Sequence, residues 1–114
     1  MDWSAEERDG VTVVGLRGEF DADAAPGFQA QVDALLREGA QYFVVDLGGV
    51  SFIDSAGLAA LVRLYKHVRL GEGDVGLASV PPSVLKILEL TRLSRVFEIF
   101  PTTAEAAAAL RRHE

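Results

Sequence analysis

The sequence predicts an α/β fold, with a mixed central β-sheet of about five strands and about four α-helices packed against it. Three observations predict it. Short apolar runs with strand character alternate with longer stretches of helical periodicity along the whole chain. Glycine and proline punctuate the changeovers. The run from Tyr42 to Leu47 is apolar almost throughout, the pattern of a strand covered on both faces in a parallel sheet. With 114 residues, 49% hydrophobic and 25% charged, the chain fits a single domain over 1–114 that can bury a core unaided.

The elements follow in order. Val11 to Gly18 is rich in β-branched residues and reads as a strand. Trp3 to Arg8 is its partner, with Asp9-Gly10 as a two-residue hairpin turn. Phe28, Val32, Leu35 and Leu36 share one face of a helix, with Pro26 in its first turn and Gly39 near its end. The buried strand Tyr42 to Leu47 comes next, then Gly48-Gly49 and a second apolar stretch. Leu58, Leu61, Val62, Tyr65 and Val68 mark a second helix, ended by Gly71 to Gly73. Val75 to Val80 is a strand. Pro81-Pro82-Ser83 opens a helix carrying Val84, Ile87 and Leu88, because proline loses nothing where its missing N–H would be unpaired. Val96 to Phe100 is a short strand, and Thr102-Thr103-Ala104-Glu105 is a capping box for a last, alanine-rich helix.

Composition excludes several functions. The absence of cysteine removes disulfide scaffolds, thiolate metal sites and cysteine nucleophiles. A net charge of −6 and scattered basic residues, with Arg111-Arg112 the one adjacent pair, argue against nucleic acid. Met1 to Gly10 lacks the basic start and apolar run of a signal peptide. No stretch approaches the ~20 apolar residues of a membrane span. The expected location is cytoplasmic.

Strand–loop–helix transitions are where open α/β sheets place their sites. Asp54-Ser55-Ala56-Gly57-Leu58 is the best candidate. Asp54 suits an N-cap, Ser55 would be the first helical residue with its hydroxyl outward, and Gly57 would leave room for another molecule's backbone. A capped helix and nothing more also accounts for these residue types. Asp21 and Asp23 lie before the first helix, where acidic residues serve as caps or partners of the dipole.

A catalytic serine needs a base within hydrogen-bond reach. His67 lies on the helix that Ser55 begins, about 18 Å away at ~1.5 Å per residue. Lys66 fails on the same distance, and His113, next to the C-terminus, is a poor mount that spacing does not exclude. No His-x-x-x-His pair or Gly-x-x-x-x-Gly-Lys loop is present, so neither a metal nor a cofactor is expected.

Asp46-Leu47 followed by Val50-Ser51-Phe52-Ile53-Asp54-Ser55-Ala56-Gly57-Leu58 resembles the signature of the STAS domain family. Gly18-Glu19-Phe20-Asp21 resembles its segment after the second strand. Leu88-Glu89-Leu90-Thr91 and Val96 to Thr102 resemble its C-terminal part. The resemblance points to the anti-sigma factor antagonist branch and so implies a STAS fold without enzymatic activity. It maps the phosphorylated residue onto Ser55 and the partner-facing acids onto Asp21 and Asp54. The partner-binding surface would comprise Asp21, Asp23, Asp54, Ser55, Ala56, Gly57 and Leu58. The implied partner is an anti-sigma factor serine kinase of the histidine-kinase-like ATPase fold, carrying its own ATP and Mg²⁺, and a serine phosphatase would reset the switch. A phosphate at Ser55 would meet free N–H groups at the helix N-terminus. A monomer is the default expectation, a dimer the alternative. The rival function is an accessory or scaffold subunit, in a lipid-transport ATPase or a stress-signalling complex, that phosphorylation does not switch. A nucleotide- or lipid-binding domain ranks below it.

Overall fold

The computed structural model describes residues 1–111. Arg112 and His113 therefore lie outside the described residues. The chain runs β1 (Asp2–Arg8), β2 (Val11–Phe20), α1 (Ala25–Arg37), β3 (Tyr42–Ile53), α2 (Ser55–Leu70), β4 (Asp74–Ala78), α3 (Pro82–Leu90), β5 (Glu98–Phe100) and α4 (Thr103–Arg111). A short 3₁₀ turn, Leu93–Arg95, precedes β5. The five strands form one mixed sheet in the order β1-β2-β3-β4-β5. β1 pairs antiparallel with β2, and β2 through β5 are parallel.

The β1–β2 turn is built as its residues require. Asp9 and Gly10 both have positive φ, 51° and 87°, the type I′ geometry that matches strand twist. Alternation along β2 and β3 then sorts the core onto two faces. Val14, Leu16, Phe43, Val45 and Leu47 pack with α1, α2 and α3 in the larger cluster. Val11, Val13 and Val44 pack with Ala106, Ala107 and Leu110 of α4 on the other face. The alanine run of α4 lets that helix lie close to the sheet. The Oγ1 of Thr102 accepts from the Glu105 N–H at 3.1 Å, so one half of the expected capping box is present.

Several boundaries differ from expectation. β3 does not stop at Leu47 but runs through Gly48-Gly49 to Ile53. Asp46 stabilises this passage, its Oδ1 accepting from the Gly48 N–H at 2.8 Å. Opposite β2 the register slips twice, with Gly15 facing Asp46 but Arg17 facing Gly49, and Gly18 facing Val50 but Glu19 facing Phe52. The extra residues are bulges in β3, which bend the strand end where the chain turns into α2. β4 is Asp74–Ala78 rather than Val75 to Val80, because Ser79 takes a positive φ of 55°. β5 loses Val96 to an αR conformation at the end of the 3₁₀ turn. α2 begins at Ser55 as expected, and buries Leu64 as well as the expected Leu61 and Val68.

Because β2 to β5 are parallel, their C-terminal ends gather at one edge of the sheet. The loops after Phe20, Ile53, Ala78 and Phe100 share that edge. The strand order never reverses, so there is no crevice of the kind that a topological switch point opens. A site at this edge is a surface.

Candidate functional site

Asp54 organises that surface. It sits between β3 and α2 in extended conformation, with φ −113° and ψ −172°, as an N-cap residue should. Its Oδ1 accepts from the N–H groups of Ala56 and Gly57 at 2.9 and 3.0 Å. Its Oδ2 accepts from the Ala22 N–H at 3.2 Å, across 32 residues of chain. One carboxylate therefore caps α2 and ties down the β2–α1 loop. The Asp54 N–H adds a bond to the Phe20 carbonyl at 3.3 Å.

Ser55 follows as the first residue of α2 and is exposed. Its hydroxyl makes no hydrogen bond among the described residues. Asp54 already occupies the N–H groups of Ala56 and Gly57, and the Leu58 N–H bonds the Asp54 carbonyl at 3.0 Å. Of the first-turn donors only the Ser55 N–H stays free among the described residues. The expectation of several free N–H groups for an anion here is thus corrected. The cap has consumed them.

Asp21 shapes the loop beside it. Its Oδ1 accepts from the N–H groups of Asp23 and Ala24, both at 3.1 Å, and its carbonyl accepts from Ala24 and Ala25. This is an Asx-type turn leading into α1. Neither Asp21 nor Asp23 is the N-cap of α1. That position is Ala24, which has no side-chain cap. Asp21 is half-buried and Asp23 exposed. Both stand on the same edge as Asp54, to which Ala22 joins them.

Gly57 has a different role from the one expected. It is buried, and a Cβ there would overlap the Phe20 carbonyl oxygen and lie 2.8 Å from Ile53 Cγ1. The close approach it permits is within the molecule, between α2 and the end of β2. It is not open to a second molecule. Leu58 is half-buried and packs against the larger core cluster, while Ala56 is half-exposed beside Ser55. His67 lies on α2 and is exposed, in its last turn, too far along the helix to serve Ser55. Among the described residues no group of three or more acidic or histidine side chains could hold a metal ion. No helix among them is long and apolar enough to cross a membrane.

Phe52 was not singled out by sequence reasoning, yet it is 49% exposed, next to exposed Ser51 and two residues before the cap. The signal was present in the alternation. Ile53 is buried, so its neighbour must point outward.

Comparison with known proteins agrees with this architecture. The STAS domain family model matches residues 2–106. A solved structure of an anti-sigma factor antagonist from Mycobacterium paratuberculosis is 31% identical, with a TM-score of 0.88 over 96% of this chain and 93% of that one. A solved structure from Thermotoga maritima is 29% identical, with a TM-score of 0.92 over 96% and 95% of the two chains. The anti-sigma F factor antagonist of Paenibacillus polymyxa is 28% identical over 92% of this chain and 91% of its own length. With the family signature spanning β3, the Asp54 cap and the start of α2, and the match running almost end to end, this chain belongs to the STAS domain family.

Proposed function

We propose that this protein is an anti-sigma factor antagonist, a non-enzymatic binding domain switched by phosphorylation of Ser55. The observation that carries the proposal is the Ser55 hydroxyl itself. It is exposed at the first position of α2, free of hydrogen bonds among the described residues, and mounted on a helix end that Asp54 holds rigidly. The names of the relatives support the same role. The unphosphorylated form binds an anti-sigma factor serine kinase of the histidine-kinase-like ATPase fold in the cytoplasm and releases the sigma factor. The contact surface comprises Asp21, Asp23, Asp54, Ser55, Ala56 and Leu58, with exposed Phe52 at its edge, and Gly57 supports it from beneath. ATP and Mg²⁺ belong to the kinase, and a serine phosphatase restores the hydroxyl.

The mechanism is a change of surface charge. A phosphoserine carries about −1.5 to −2 charge at neutral pH. Asp54 has taken the N–H groups of Ala56 and Gly57, so the phosphate gains only the Ser55 N–H and the helix dipole. The remaining charge projects toward the partner, beside the carboxylates of Asp54, Asp21 and Asp23. An interface fitted to a neutral hydroxyl then suffers repulsion and desolvation. A penalty of about 3 to 4 kcal/mol weakens binding some hundred- to thousandfold. No refolding is needed.

The test is calorimetric titration of wild type, Ser55→Ala and Ser55→Glu against the cognate kinase, with phosphopeptide mapping after incubation with kinase, ATP and Mg²⁺. Ser55→Ala binds and is not phosphorylated. Ser55→Glu binds at least about tenfold more weakly at an unchanged thermal midpoint. Equal affinities for wild type and Ser55→Glu, or phosphate at another residue of Ser55→Ala, refute the switch.

A further inference from the structure

The two edges of the sheet are unlike. β5 is three residues long, whereas β1 is seven, in unbroken register with β2 from Asp2 opposite Arg17 to Arg8 opposite Val11. Short length, proline and bulges ordinarily keep an edge from pairing, and β1 has none of them. Arg8 and Val11 close the two-residue turn as a hydrogen-bonded pair, so Asp2, Ser4, Glu6 and Arg8 direct their backbone N–H and C=O groups at β2. Those of Trp3, Ala5 and Glu7 face outward, and no other element bonds them among the described residues. We propose that a second copy of this chain pairs antiparallel with β1, about a two-fold axis through Ala5, and joins two sheets into one.

Charge is the remaining guard on an edge, and here it selects this one partner and register. Every residue of β1 except half-buried Trp3 is exposed. Trp3 packs toward α1, so alternation puts Asp2, Ser4, Glu6 and Arg8 together on the α4 face. With the axis through Ala5, Asp2 of each copy stands opposite Arg8 of the other, and Ser4 opposite Glu6, whose carboxylate can accept from the serine hydroxyl. Arg8 already bonds Glu6 of its own chain at 2.6 Å, so it bridges that carboxylate and the Asp2 of the other copy. Moving the axis one residue either way removes this match. An axis through Ser4 sets Asp2 against Glu6, and one through Glu6 sets that carboxylate against its own copy.

Backbone geometry favours the same register. Ala5 pairs with Ala5 and Trp3 with Glu7, all of them residues whose N–H and C=O groups face outward, so the full strand contributes about six hydrogen bonds. A shift of the axis by one residue leaves about four. The interface is isologous, each copy offering the same strand, so it closes at two copies and leaves β5 at both outer edges. The strands of the second copy run in the reverse direction, which sends the two Ser55 edges to opposite ends of the joined sheet. Both stay open to a partner, so the pairing is independent of the phosphorylation switch.

The test is sedimentation equilibrium of the full chain up to about 1 mM, with amide hydrogen exchange measured at both ends of the concentration range. A monomer–dimer equilibrium is expected, with the Trp3, Ala5 and Glu7 amides gaining protection as concentration rises and those of Ser4, Glu6 and Arg8 unchanged. Asp2→Arg and Arg8→Asp each weaken the dimer about tenfold or more, and the double variant Asp2→Arg/Arg8→Asp regains most of the loss, since it restores opposite charges across the axis. Ala5→Pro removes the central donor without touching a bond to β2 and abolishes the dimer. Glu98→Gln, on the β5 edge, leaves it unchanged. A chain that stays monomeric at about 1 mM, a double variant no better than the single ones, or a dimer weakened by Glu98→Gln overturns the proposal. The charge variants lie on the exposed strand surface, so they decide the matter even where Ala5→Pro disturbs folding.

Discussion

Replacing Asp54 by alanine tests how one carboxylate holds the site together. The substitution removes three accepted bonds, from Ala56 and Gly57 at the start of α2 and from Ala22 in the β2–α1 loop. Loss of an N-cap costs about 1 kcal/mol, and loss of a negative charge at a helix N-terminus adds about 0.3 to 1. The Ala22 N–H is at an exposed residue, where water replaces the lost acceptor, so that bond adds only a few tenths. The sum is about 2 kcal/mol. For a chain of 114 residues the unfolding entropy converts each kcal/mol to about 4 °C, so the midpoint should fall by about 8 °C. Asp54→Asn separates the contributions. It keeps an acceptor for Ala56 and Gly57 but loses the charge and turns an amide toward Ala22, at a cost of about 1 kcal/mol. Urea denaturation followed by circular dichroism measures both, and hydrogen exchange at Ala22 reports the loop. A loss below about 0.5 kcal/mol for Asp54→Ala, or a larger loss for asparagine than for alanine, would refute this assignment of the bonds.

Two further outcomes follow from the same geometry. Gly57→Ala should cost about 3 kcal/mol, since its Cβ overlaps backbone as well as the Ile53 side chain and neither can swing aside. An unfolding midpoint within a few degrees of wild type would show that α2 can shift away from Phe20. Thr102→Ala should cost about 1 kcal/mol by removing the acceptor for Glu105, and Thr102→Ser should restore most of it. Equal stability of the two variants would show that the cap contributes nothing.

Most of the fold was legible because its local and tertiary demands coincide. Asp9-Gly10 turns as such pairs do, Pro26 and Pro82 stand in first turns, and Thr102 caps α4. The misses arose where tertiary pairing overrode local pattern. Gly48-Gly49 resembles a break, yet pairing with β2 carries β3 through it by bulging. Val96 has strand character, yet the 3₁₀ turn ahead of β5 claims it. At the site, Asp54 as cap and Ser55 as first helical residue were readable from residue order. Its bond to Ala22, and the packing of Gly57 on Phe20, join segments more than thirty residues apart. No spacing rule in one sequence encodes them.

The double duty of Asp54 bears directly on how the proposed switch would operate. Helix N-termini ordinarily favour anions because their N–H groups are unpaired. Had Asp54 been an apolar residue, a phosphate on Ser55 could fold back onto the N–H groups of Ala56 and Gly57 and spend its charge inside the domain. With those donors already taken, the phosphate has one N–H within the first turn and must otherwise face solvent or partner. The cap thus makes the modification visible from outside while leaving the fold unchanged. It follows that Asp54→Asn, by freeing neither donor, should preserve the weakening of partner binding by Ser55→Glu. Asp54→Ala, by freeing both, should blunt it. A double-mutant cycle on partner affinity measures that coupling, and equal penalties for Ser55→Glu in the wild-type and Asp54→Ala backgrounds would show that the cap has no part in the switch.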